Sequence, residues 1–500
     1  MIKILHTIAA TLRPGRIGRQ ASLVVIGDAI NFSTGIISSM ILARLIPVDL
    51  MGTYRQIMYL TPMAVSVIEM GVSSTVYRYW NFYDHQRRAI FAKMLTVASF
   101  ALGCLGTALL AGFAPLFAEW YHNPELKTAL RITAAYPLST IPLMILRPVL
   151  LSRGYSLKAT LLETAFSITS IVAIIIPLLM HRPLNMALSI WIGMSLLRLV
   201  VYPIILRKQL LERGSWWDRQ IVREIWNYLW PIQVGRLPGY IIMYLDKVVT
   251  SLFLTTRDFA IYSMGAREIP FVGFIGLSVS NVLIPYLVED IQKERHAQVF
   301  LRWSKACERT ALATYPIAAF CCWHAVPVMQ FMFSATYTES SVPFRVFAAL
   351  TFIRVIEYSS LAKALGRTDL IMRLSFVNAI VLIVLIAPLG WMLNGFGIAL
   401  SVFISIGASF AYVLHAYKKL LGVRVRTFFP WPRLGALLAI SFAATGASSL
   451  CAGTLFSLDA HAGVFMLGLN LAGLFVVALV AYGVLLLLTG FVKLSPRQRG

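Results

Sequence analysis

Apolar residues run through this chain in long stretches, and polar residues collect in the short segments between them. About 20 apolar residues suffice for a helix to cross a roughly 30 Å hydrocarbon layer. Fourteen such runs can be drawn, at 21–43, 56–76, 94–118, 128–146, 159–180, 186–206, 229–253, 262–286, 310–333, 342–362, 374–393, 397–417, 434–456 and 462–492. The pattern predicts an all-α integral membrane protein with about 14 transmembrane helices. Ahead of the first run, MIKILHTIAATLRPGRIGRQ is interrupted by Arg13, Pro14 and Arg16, and no cleaved leader is expected there.

Composition agrees: 58% of the 500 residues are hydrophobic and 13% charged, and the mean hydropathy is +0.76. The formal charge of +23 raises the question of nucleic acid, which the placement of the cations answers. With both termini cytoplasmic, 32 Lys and Arg fall on the tails and even-numbered connections, 5 on the opposite connections and 7 within spans. That asymmetry is the positive-inside signal of a membrane protein, and no basic patch is left over for nucleic acid. Cys104, Cys307, Cys321, Cys322 and Cys451 have no metal-like spacing and are expected to fill the core.

The chain also repeats itself. TYRQIMYLTP (53–62) lies without gaps over IYSMGAREIP (261–270) at an offset of 208, which also pairs Gly27-Asp28 with Gly235-Arg236. NMALSIWIG (185–193) lies over GIALSVFIS (397–405) at an offset of 212, which also pairs Gly154 with Gly366. A duplicated six-helix unit accounts for both. Six is even, so the copies enter the membrane in the same sense, as parallel repeats with a cleft between two bundles. The expected organisation is a six-helix bundle over 1–206, a cytoplasmic amphipathic linker over 207–228, a second six-helix bundle over 229–417, and two extra spans with a tail over 418–500. The stretch 207–231, with Trp216, Trp217 and Trp226 among basic residues, predicts a surface helix, and 288–310 a second. Pro62 and Pro270, at equivalent places, are expected to kink their spans.

Charges inside apolar spans are costly and tend to face cavities or partners. The cations are Arg131, Arg198, Arg236, Lys247, Arg267, Arg345 and Arg354, and the acids Asp28, Glu69, Glu163, Asp246, Glu268 and Glu357. Arg236, Tyr240, Met243 and Lys247 share one helix face, as do Pro62, Ser66, Glu69 and Ser73. Arg354 and Glu357 are spaced to neutralise each other, and Arg131, Glu163 and Arg345 to snorkel toward an interface. Asp28 and Arg236, equivalent and opposite in sign, are candidates for a pair that opens and closes.

YLDKVVTSLFLTTRDFAIYSMGAREIPFVGFIGLSVSNVLIPYL (244–287), VPFRVFAAL (342–350), AKALGRTDLIM (362–372) and ILARLIPVDLMGTYRQ (41–56) resemble the Wzx-type oligosaccharide flippases of bacterial polysaccharide biosynthesis. The resemblance implies the multidrug/oligosaccharidyl-lipid/polysaccharide exporter fold, with two pseudo-symmetric six-helix bundles around a central cleft plus two C-terminal helices. It also implies translocation of undecaprenyl-diphosphate-linked oligosaccharide across the inner membrane. On that basis Arg236, Arg267, Lys247 and Arg198 are the candidate substrate-binding cations, and Asp28, Glu69 and Glu268 the candidates for coupling to H⁺ or Na⁺ or for gating. No catalytic or metal residue is expected. The expected partners are the lipid-linked oligosaccharide, membrane lipid, and a polymerase or other pathway proteins. A cation-coupled multidrug exporter of the same superfamily, and a membrane polymerase or ligase of the same pathway, remain the alternatives.

Overall fold

The structure, a computed structural model, describes residues 16–270, 272–355, 358–421, 429–450 and 463–491. Every regular element among them is helical, as hydrocarbon requires, because a helix satisfies its own backbone N–H and C=O groups where no water can. The chain divides into two compact units, Met1–Tyr240 and Ile241–Gly500.

Unit 1 runs through α1 (Arg16–Leu45), α2 (Val48–Ile68), α3 (Val72–Tyr79), α4 (His85–Trp120), α5 (Pro124–Thr133), α6 (Tyr136–Thr140), α7 (Leu146–Ser152), α8 (Ser156–Leu179), α9 (Leu184–Leu197), α10 (Val201–Leu210) and the first part of α11 (Arg219–Phe253). Pro62 does not end α2, which continues to Ile68. A 48° bend falls between α2 and α3, where Met70 and Gly71 take φ of 52° and 74°. A glycine relieves the left-handed turn at its second residue. Glu69 stabilises the restart: its carboxylate accepts the Gly71 and Ser73 N–H groups at 2.8 and 2.7 Å, two of the donors a helix start leaves unpaired.

The predicted surface helix over 207–231 is not a separate element. Residues 211–218 form an irregular connection, and α11 then runs unbroken through Pro231 and Pro238. Lys93, only 2% exposed, ties the connection down by donating to the Glu212 and Gly214 carbonyls at 2.6 and 3.3 Å. Beside it Tyr83 donates to Glu224 at 2.6 Å, and burial together with that carboxylate pushes the Tyr83 phenol pKa up. Trp226 and Trp230 stack on an exposed face, 5.9 Å apart.

Unit 2 continues α11 and adds α12 (Thr256–Gly265), α13 (Val272–Gln292), α14 (His296–Trp323), α15 (Ala325–Phe333), α16 (Ser341–Ile353), α17 (Ser359–Ala364), α18 (Thr368–Leu421), α19 (Trp431–Ser449) and α20 (Val464–Leu488). The run 262–286 is not one helix. It breaks between Gly265 and Val272, where a Cβ on Gly265 would lie 2.0 Å from the Ser340 carbonyl oxygen and Pro270 offers no N–H. The predicted surface segment 288–310 is instead the end of α13 and the start of α14. α18, 54 residues long, holds two predicted spans folded at Asn394 (φ 51°), and Ser401 donates across that fold to the Leu385 carbonyl at 3.2 Å. Glu357 and Cys451 lie outside the described residues.

Among the described residues, seven helical stretches are long and apolar enough to span, or nine with the bent pairs α2–α3 and α14–α15. One of the seven is α18 with its two predicted spans, so this count is compatible with the fourteen drawn from sequence.

Candidate functional site

Unit 1 contains a cavity of about 440 Å³ lined by Asp28, Arg147, Glu163 and Arg198, together with Ser and Thr hydroxyls. Asp28 comes from α1, Arg147 from α7 and Glu163 from α8, and Arg198 opens a single 3₁₀ turn after α9. Arg147 lies 3.0 Å from Asp28 Oδ1 and 3.0 Å from Glu163 Oε2. One guanidinium thus serves two carboxylates, which suits its planar fork. Arg198 differs. It donates to the Thr169 hydroxyl at 2.7 Å and lies 5.1 Å from the Phe166 ring, while its buried Nε has no partner.

These partners correct one expectation: Glu163 does not snorkel toward an interface, because Arg147 holds it in the cavity. In this conformation Arg147, not Arg236, holds the Asp28 carboxylate. Arg236 belongs instead with Glu69, at 3.8 Å. That separation is long because both Glu69 oxygens already accept backbone N–H groups. Arg147 is the residue the sequence reading missed, since it stands one position beyond a drawn span and was counted with a basic connection.

Unit 2 contains a cavity of about 450 Å³, lined by Glu268, Arg354, Tyr358, Ser375, Asn378, Ser409 and Phe410 among others. Arg354 is in ion-pair contact with Glu268. The two cavities are built from equivalent positions. Thr140, Leu143, Met144 and Arg147 of the first correspond to Phe347, Leu350, Thr351 and Arg354 of the second at a constant offset of 207. Glu163, Phe166 and Arg198 correspond to Ser375, Asn378 and Phe410 at 212, the offset already seen in the sequence repeat. The repeat was therefore the signal that could have found Arg147.

The remaining predicted site residues lie elsewhere. Lys247 is in ion-pair contact with the buried Asp246, and Arg267 lies 5.7 Å from the Phe333 ring. Arg345 donates to the Cys322 carbonyl at 3.3 Å. Among the described residues, no group of three or more His, Cys, Asp or Glu is placed to hold a metal.

Apolar helices of this number and length define a multi-pass membrane protein. A lipid II flippase, MurJ, in an inward closed conformation is similar at a TM-score of 0.71 and 15% identity, covering 93% of this chain and 98% of that one. A multidrug resistance MATE transporter of the MOP superfamily, inward-facing, is similar at 0.56 and 15% identity, covering 80% and 95%. A MOP superfamily transporter from Pyrococcus furiosus is similar at 0.52 and 15%, covering 81% and 95%. No curated protein sequence matches. The model of the polysaccharide biosynthesis protein family matches residues 41–342, and the chain belongs to that family.

Proposed function

We propose that this protein is a flippase that moves undecaprenyl-diphosphate-linked oligosaccharide from the cytoplasmic to the periplasmic leaflet of a bacterial inner membrane. It works by alternating access and supplies a surface polysaccharide (O-antigen, capsule or exopolysaccharide). The observation that carries this reading is Arg198, a cavity-lining guanidinium whose partners are a hydroxyl and a ring. Among the described residues it pairs with no carboxylate. A cation so placed within apolar helices is costly unless an anion visits it, and a diphosphate is such an anion, recognised best by the guanidinium fork. Arg236, whose acid is spent on backbone amides, is the second diphosphate contact in unit 1, and Arg267 and Lys247 are the anion contacts of unit 2.

Asp28 and Glu163 share one arginine and so keep one net negative charge, which we assign to H⁺ or Na⁺ coupling. Glu69 and Glu268 position their arginines. Family membership and the likeness to a lipid flippase support the same reading. A drug exporter would present an excess of acid to a cationic drug, whereas the two acids of this cavity, Asp28 and Glu163, are balanced by two arginines, Arg147 and Arg198. A polymerase or ligase is disfavoured by neighbours that are transporters.

The test is transport by the full chain in liposomes, using a fluorescent undecaprenyl-diphosphate-linked saccharide and an impermeant quencher. Transfer between leaflets above the rate of empty liposomes is expected, and Arg198→Glu should abolish it. A protein that leaves this lipid in place but moves a cationic dye would overturn the proposal.

A further inference from the structure

The cavity in unit 2 stands where the repeat places the charged cavity of unit 1, but its chemistry has changed at three positions. Glu163 is replaced by Ser375, Phe166 by Asn378 and Arg198 by Phe410. The duplicated position has thus lost a carboxylate and a guanidinium and gained a hydroxyl, an amide and a ring. Two buried polar atoms of lining residues have no partner: Asn378 Oδ1 and Ser409 Oγ. Each buried polar atom normally finds one, and leaving two unpaired around one space is costly. At about 450 Å³ the space lies in the range of roughly 300–1,000 Å³ typical of small-molecule sites.

A ligand that completes these atoms must offer neutral groups that both donate and accept. It must also present an apolar face, because Phe410, Phe347, Leu350, Leu374 and Ile406 form much of the wall. Among the described residues of the wall, an anion has only the Arg354 guanidinium to meet, and Glu268 already occupies that. A sugar ring has both properties, with hydroxyls around its edge and C–H groups on its face. We propose that this cavity is a neutral-saccharide subsite that takes a sugar residue of the transported lipid. Asn378 accepts a hydrogen bond from a sugar hydroxyl, Ser409 exchanges one with its neighbour, and the Glu268–Arg354 pair serves hydroxyls at the wall. This inference rests on the flippase reading and adds that sugar and diphosphate are recognised by different residues.

The experiment uses purified full-length protein and three probes. One is the lipid-linked oligosaccharide fraction extracted from cells lacking this protein, where the substrate should accumulate. The second is bare undecaprenyl diphosphate, and the third is the free glycan released from the extract by mild acid. The protein should bind the glycan-bearing lipid about tenfold more tightly than the bare lipid, the effect of a single well-made interaction. Asn378→Leu should erase that difference and the binding of free glycan while leaving bare-lipid affinity unchanged. Ser409→Ala, a smaller change that carries the argument if the first variant does not fold, should reduce the preference in the same direction. Equal affinity for the two lipids in the unaltered protein, or a preference that survives both substitutions, overturns the sugar subsite while leaving the flippase intact. Binding of neither lipid by folded protein overturns the flippase reading itself.

Discussion

The cavities of the two units place an arginine at the same point of a duplicated scaffold and surround it differently. Arg147 lies between Asp28 and Glu163, whereas among the described residues Arg354 meets one acid, Glu268, whose side chain is 54% exposed against 30% for Glu163. Beyond the arginine, unit 1 offers Arg198 and unit 2 Phe410. Duplication thus supplied two similar spaces, and a few side chains gave them different walls. A cavity's shape comes from helix packing and is hard to alter, while its chemistry changes with single residues on its wall.

The largest expected difference between the units concerns stability. Arg147→Ala strips the partner from two half-buried acids, a loss between that of an exposed and a buried pair, about 2 kcal/mol. Arg354→Ala strips one exposed acid and should cost about 1 kcal/mol or less. Thermal unfolding in detergent would compare them, and equal losses would break the distinction between the two arginines. Exchanging the pair, Asp28→Arg with Arg147→Asp, should recover part of that stability and leave transport low, because Glu163 then faces an acid.

Next come the anion contacts. Arg198→Ala should weaken diphosphate-lipid binding by about 2 kcal/mol, roughly thirtyfold, as expected for a charge-assisted hydrogen bond. Phe410→Ala, at the equivalent place in unit 2, should leave bare-lipid affinity unchanged. If Phe410→Ala weakens bare-lipid binding as much as Arg198→Ala, the assignment of separate ligands fails. Arg236→Ala should lower surface polysaccharide with protein abundance near normal, and Arg236→Lys should restore only part, because the lysine ammonium lacks the two-pronged geometry. The smallest effect belongs to the bend. Gly71→Ala, at φ 74°, should cost about 1 kcal/mol through backbone strain and crowd Arg236, whose Nη1 would lie 3.4 Å from the added carbon. Melting temperature and lipid affinity should both fall slightly.

Much of this site could be anticipated. Asp28 and Arg198 line the cavity of unit 1, and Glu69 and Arg236 meet on its bent α2–α3 segment, as charges in apolar runs suggested they would find partners. The partners themselves were less legible. Arg147 hid among basic connection residues, because hydropathy ends its span at Leu146, and Glu163 resembled an interfacial acid for the same reason. In this conformation Asp28 meets Arg147 and Arg236 meets Glu69, pairings that equivalence by repeat does not reveal. Surface helices were overcalled at 207–231 and 288–310, where amphipathic composition continues into helices that go on to become spans.

By itself the sequence determined what the bilayer enforces residue by residue: helical spans, a side for the cations, and a duplicated unit with few buried charges. Each follows from the cost of placing a polar group in hydrocarbon, which depends on local composition and not on distant neighbours. Only the tertiary structure decided which charges meet, where helices break, and which polar atoms lack a partner. Those depend on helix rotation and on contacts between residues more than a hundred positions apart, as with Asp28 and Arg147. At such range a shift of one residue along a helix turns a side chain by about 100° and exchanges its partner.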